Sequence, residues 1–186
     1  MKKTIVLLAM VTILFACVND KKEKEQDAEE IEAETEMAIE DMPILLGVQN
    51  RKTIQSKPYS AWFTKNYMYQ PDQKSLAVLN KSLEGITITI FMGTWCEDSQ
   101  LQVPALYGIL DAIKYDSEKV TLITVSEDKE TPEGLEKGMD IQYVPTIILF
   151  KNGKEIGRIV EAPVETLEAD LVKIANGEAY KHTYEE

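Results

Sequence analysis

The stretch FMGTWCEDSQLQVP, residues 91–104, decides how the whole chain is read. It begins on the end of the β-branched run ITITIFM, turns through Gly93-Thr94-Trp95, and reaches Cys96 where helix-forming residues begin. A run of that composition suits a buried strand. Beyond it, Leu106, Ile109, Leu110 and Ile113 recur at helical spacing. Pro104 falls inside that helix and is expected to kink it, because its ring removes a backbone N–H. The segment therefore sets a thiol at a strand-to-helix junction, with Ser99 three residues further on.

Outward from this junction the chain alternates helices and strands. Upstream, Pro71 and Asp72 start a helix with Leu76, Leu79 and Leu83 on one side, and Gly85 stops it. Before it, PYSAWFTKNYMYQP (residues 58–71) gathers Tyr59, Trp62, Phe63, Tyr67 and Tyr69 in one helical or turn region. Such a cluster reads as a satellite core fastening an N-terminal extension to the domain, with a binding face as the second reading. Downstream, KVTLITVS (119–126) gives a second strand, and Thr131 and Pro132 are expected to cap and start a short helix. VPTIILF (144–150), KNGK and EIGRIVE form a hairpin turning at Asn152-Gly153. Pro163 opens a last helix with Val164, Leu167, Leu171 and Ile174 at helical spacing, closed by Gly177. The expected order is α, β, α, β, α, β, β, α, without internal repeats.

The first residues bear on compartment. Lys2 and Lys3 precede an apolar run over residues 5–16, interrupted only by Thr12. That is shorter than the ~20 residues a spanning helix needs, and it has the layout of a secretory signal. The sequence LFAC, residues 14–17, resembles a bacterial lipoprotein signal, whose cysteine is diacylated and heads the mature chain. The resemblance implies a signal peptide over 1–16 and lipid on Cys17, which anchors more firmly than a single acyl chain. The implied location is the bacterial cell envelope, facing the periplasm, with secretion as the runner-up. From Asn19 to Asp41 there are eleven acidic and three basic residues, net −8, and no aromatic residue. Such a segment cannot bury enough apolar surface to offset its chain entropy, so residues 17–42 read as a flexible acidic tether and 43–186 as the folded domain.

Composition excludes two classes of function. The formal net charge of −12 over 186 residues argues against a nucleic-acid partner, which would need a basic patch to meet its phosphates. Two cysteines and one histidine cannot build a Cys/His metal cluster, and neither metal nor cofactor is expected. A monomer is the default.

The order of elements resembles the thioredoxin fold, and four local features carry the resemblance: TWCEDS between strand and helix, Pro104 eight residues after Cys96, VPTIILFKNGK (144–154), and the charged closing helix. The resemblance covers roughly residues 76–177. It implies an α/β domain of three layers, α/β/α, with a central mixed sheet, here bearing an N-terminal helical extension. It also implies a cis Val144–Pro145 bond beside Cys96, with the backbone of Val144 pairing with an extended substrate and Trp95 shielding the thiol. Three positions depart from the family. Ile90 stands where thioredoxins bury an aspartate, Thr124 where its lysine partner lies, and Glu161 where a glycine helps to form the substrate groove.

Cys96 at a helix start faces unpaired N–H groups and the positive end of the helix dipole, which favour a thiolate. Glu97 and Asp98 oppose it as like charges, while Ser99 offers a hydroxyl. With Ser99 where a second cysteine would resolve a mixed disulfide, the site captures a disulfide but needs an external thiol to release it. Protein or glutathione disulfides are the expected substrates. The alternative is a redox-inactive module binding extended peptides or a partner protein. A thiol peroxidase ranks last, because FMGTWC lacks peroxidase framing. His182 lies in the terminal KHTYEE, which is expected to fray rather than serve Cys96 as a base.

Overall fold

Residues 42–185 are described by the computed structural model. The expected signal peptide, Cys17 and residues 17–41 of the tether lie outside the described residues. After Pro43 the chain lays down a short strand that the sequence did not announce, β1 (Gly47–Gln49). A single helical turn, α1 (Arg51–Ile54), follows, capped by the side chain of Asn50. Next comes α2 (Ser60–Tyr67), then α3 (Gln73–Ser82), whose N-cap Asp72 accepts a hydrogen bond from the N–H of Ser75 at 2.8 Å. Gly85 ends that region with φ at 73°, a conformation natural to glycine.

The core elements are β2 (Ile86–Met92), α4 (Glu97–Ala112), a 3-10 turn (Ser117–Lys119), β3 (Val120–Thr124), β4 (Thr146–Lys151), β5 (Lys154–Val160) and α5 (Leu167–Asn176). The sheet runs in the order β1-β3-β2-β4-β5. Only β2 and β3 are parallel; the other pairs are antiparallel. This is the α/β thioredoxin fold with a mixed central sheet, as the sequence led us to expect.

Period-2 alternation decides what each face meets. Ile86, Ile88 and Ile90 are fully buried, in a cluster with Leu79, Leu106 and Leu171 from the helices. Phe91 and Ile148 belong to a second cluster with Ile123, Val125 and Val144, against which Leu135, Met139 and Ile141 pack. Those last three come from the β3–β4 connection, where the expected helix at Thr131 does not form: residues 131–139 run through turns and a bend. Gly134 and Gly138 both sit at positive φ, 69° and 78°, which interrupts helical propagation. Thr131 and Glu136 instead close a local loop, the Thr131 hydroxyl donating to Glu136 Oε2 at 2.7 Å and accepting from the N–H of Leu135 at 2.8 Å.

Two other expectations shift. The last helix starts after Thr166, whose side chain accepts from the N–H of Ala169, rather than at Pro163. Fully buried Asp170 accepts from the N–H groups of Val164 and Glu165, holding that approach as loop and leaving Val164 exposed. The aromatic cluster is no satellite. Tyr59, Trp62 and Phe63 are buried within the main core, with Phe63 and Tyr107 rings 6.3 Å apart.

The extension is seated on α4 by a backbone device. Pro104 has no N–H to offer the carbonyl of Gln100 four residues earlier. That carbonyl instead accepts from the Asn66 side-chain amide on α2 at 2.9 Å. Gly108 lets the two helices meet, since a Cβ there would lie 2.7 Å from the carbonyl oxygen of Tyr67.

Candidate active site at the start of the fourth helix

Cys96 is the N-cap of α4, with extended backbone (φ −91°, ψ 122°). Its N–H donates to the carbonyl of Gly93 at 3.1 Å, closing the turn that leads out of β2. Gly93 is required there: a Cβ would fall 2.5 Å from Cε2 of the Trp95 indole. The indole N–H donates to the carbonyl of Val125 at 3.1 Å, so Trp95 is fixed across the end of the sheet. The Lys129 ammonium lies 5.6 Å from its ring centroid.

The Cys96 thiol is half-buried and donates to the carbonyl of Val144 at 3.1 Å. Val144 is joined to Pro145 by a cis peptide bond, one of two in the described chain, the other being Lys57–Pro58. The structure thus brings Trp95, Cys96, Val144 and Pro145 together. Glu97 and Asp98 are exposed in the first turn of α4. Ser99 points elsewhere: it is fully buried, and its Oγ accepts from the N–H of Gly93 at 3.2 Å. It braces the turn from beneath. Among the described residues Cys96 is the free cysteine.

The three departures from the family pattern also have defined places. Ile90 and Thr124 are fully buried, and the Thr124 hydroxyl donates to the carbonyl of Gly47 at 3.2 Å. Their side chains offer no carboxylate and no amine. Glu161 stands at φ 62°, a left-handed conformation that glycine adopts freely, and its N–H donates to the carbonyl of Pro145 at 2.7 Å.

One neighbour of Tyr143 and Glu161 was not legible in the sequence. The terminus does not fray away: Tyr184 stacks on Tyr143 with ring centroids 4.0 Å apart and planes 11° from parallel. Its phenol donates to the Glu161 carboxylate, and that bond is the main reason the Tyr184 hydroxyl is pushed up to about 12. Asp98 adds a smaller contribution in the same direction. The one available signal was a pair of aromatic residues, Tyr180 and Tyr184, in an otherwise polar tail. His182 is part of that tail turn, its Nδ1 accepting from the N–H of Tyr184 at 3.3 Å.

The family model for thioredoxin matches residues 72–173, more than half of the chain. The chain belongs to the thioredoxin family. Among thioredoxins, it is 30% identical over 92 residues to mitochondrial thioredoxin-2 of Schizosaccharomyces pombe, covering 50% of this chain and 65% of that protein. It is 38% identical over 72 residues to thioredoxin of Echinococcus granulosus, covering 39% of this chain and 62% of that protein. The chain therefore spans just under two thirds of the length of these relatives. A solved structure of thioredoxin O2 from Arabidopsis thaliana in the oxidized state aligns at 22% identity and a TM-score of 0.35, over 52% of this chain and 81% of that one.

Proposed function

We propose that this thioredoxin-family protein carries out thiol–disulfide exchange with Cys96 as its single attacking thiol. The observation that carries this reading is the Cys96 sulfur at a helix N-cap, 3.1 Å from the carbonyl that precedes cis Pro145. The Cys96 thiolate attacks one sulfur of a substrate disulfide, forming a mixed disulfide and expelling the other sulfur as a thiolate. An external thiolate then attacks the substrate sulfur of that adduct, regenerating Cys96 and leaving with the substrate as a new disulfide. No net oxidation of the protein occurs. Ser99, buried and engaged by Gly93, has no sulfur to perform the second step internally. Substrates are protein or glutathione disulfides. The lipoprotein-like leader supports an anchor at Cys17, holding the domain to the bacterial envelope on its periplasmic side.

The test is to incubate the full-length chain with disulfides and map adducts on Cys96 by peptide mass. A mixed disulfide forming faster than on a urea-denatured control, reversed by added thiol and absent in Cys96→Ser, is the expected result. Equal rates in native and denatured chains would end the exchange reading. A second reading, a redox-inactive peptide-binding module, is favoured by one set of observations: Ile90, Thr124 and Glu161 replace the polar and glycine positions of the family. In that case Cys96→Ser retains every partner bound by the parent.

A further inference from the structure

The rings of Tyr143 and Tyr184 hold the most unusual position around the thiol. Tyr143 directly precedes Val144, whose carbonyl the Cys96 sulfur touches. Its backbone is fixed, because its carbonyl accepts from the Thr146 hydroxyl at 2.6 Å. Yet its ring stands at the surface, 39% exposed, and the face that is covered is covered by Tyr184, itself 44% exposed. Tyr184 is held by a turn of its own segment, in which the N–H of Glu185 donates to the carbonyl of His182 at 3.0 Å. Beyond that turn, its ties are the stacked ring and the hydrogen bond to Glu161. Both ties lie on the surface and are few, so the contact is displaceable.

From this we infer that Tyr143 is a platform selecting an aromatic side chain next to the cystine of an incoming peptide, and that Tyr184 is its resident occupant. The inference rests on the exchange reading and narrows its substrate class. A peptide whose sulfur reaches Cys96 passes beside Val144, which brings its flanking side chain to the neighbouring ring. An aromatic side chain there replaces the stacking that Tyr184 gives up. An aliphatic one does not. Asp98 and Glu161 both lie near enough to act on the Tyr184 phenol, so an acidic peptide meets like charge, and glutathione disulfide, anionic and without a ring, fits least well.

The experiment follows mixed-disulfide formation at Cys96 of the full-length chain by peptide mass. The probes are the disulfides of Phe-Cys amide and Ala-Cys amide, with oxidised glutathione as the anionic probe. The native chain is expected to react in the order Phe-Cys, Ala-Cys, glutathione. Tyr184→Ala is expected to accelerate both neutral peptides roughly 3- to 10-fold, the scale of an exposed stacked pair with one charge-assisted hydrogen bond. Tyr143→Ala is expected to bring the Phe-Cys to Ala-Cys ratio down to about one. Unchanged rates in Tyr184→Ala overturn the occupant. An unchanged ratio in Tyr143→Ala overturns the platform. If no peptide reacts faster than with denatured chain, the exchange reading falls and takes the substrate class with it.

Discussion

Glu161 concentrates what a single residue does in this molecule. An L-residue at φ 62° is disfavoured relative to glycine by roughly 1–2 kcal/mol, because its Cβ crowds the following carbonyl. In return, its N–H secures the carbonyl of Pro145 and its carboxylate holds Tyr184. The N–H bond does not depend on the side chain; the Tyr184 bond does. Glu161→Gly is therefore expected to raise the unfolding free energy by about 0.5–1 kcal/mol in urea titrations while releasing the tail. A loss of stability would mean that the tail contact outweighs the backbone. The placement of Cys96 at a helix start was legible from local spacing around a strand end, and the cis Val144–Pro145 bond beside it from the thioredoxin resemblance. The role of Ser99 was not, since its hydroxyl answers the N–H of Gly93, a turn contact that residue type does not reveal.

Among elements, α4 shows why some of the architecture could be read and some could not. Its apolar period and its proline stand in the sequence, but the partner for the carbonyl that Pro104 leaves unpaired comes from 34 positions away, on α2. Asn66→Ala is expected to destabilise the fold by about 1–2 kcal/mol, the scale of a part-buried carbonyl losing its donor. In a Pro104→Ala background, where the helix supplies its own N–H, the same change is expected to cost less. Additive effects in the two backgrounds would mean that Asn66 acts through packing alone. The short β1 went unnoticed because the three residues GVQ carry no period to detect, and its pairing with β3 is long-range. The helix expected at Thr131 looked sound on its cap. Two glycines seven and three residues further on, at Gly138 and Gly134, decided otherwise.

At the scale of the whole molecule, one buried and one partly buried phenol set an alkaline limit. Burial pushes Tyr107 and Tyr115 from 10.0 up to about 12, and Tyr115 also donates to the carbonyl of Ile86. Each phenol keeps its proton more firmly when folded. Their contribution to stability is therefore complete below about pH 10 and is lost as pH rises through about 12. Urea midpoints measured across that window are expected to fall, and to fall less steeply in Tyr107→Phe. At the acid end the sign reverses. The Arg51 guanidinium, bonded to Asp111 at 2.6 and 2.9 Å, holds that carboxyl below its usual range. Its contribution fades as pH falls through the lowered value, and it is small because Asp111 is 41% exposed.

The seat of the extension on α4 fixes what can be carried from this molecule to another. Cutting at residue 72, where the family match begins, removes Ile54, Tyr59, Trp62 and Phe63, buried side chains whose shielding from water amounts to roughly 10 kcal/mol. It also leaves a bare notch at Gly108 and an unanswered carbonyl at Gln100. A graft of that trimmed piece onto a foreign carrier is expected to give broad, poorly dispersed amide spectra, whereas a graft of residues 42–185 gives sharp ones. The smallest transplantable cassette is thus longer at its front end than the homology that names it.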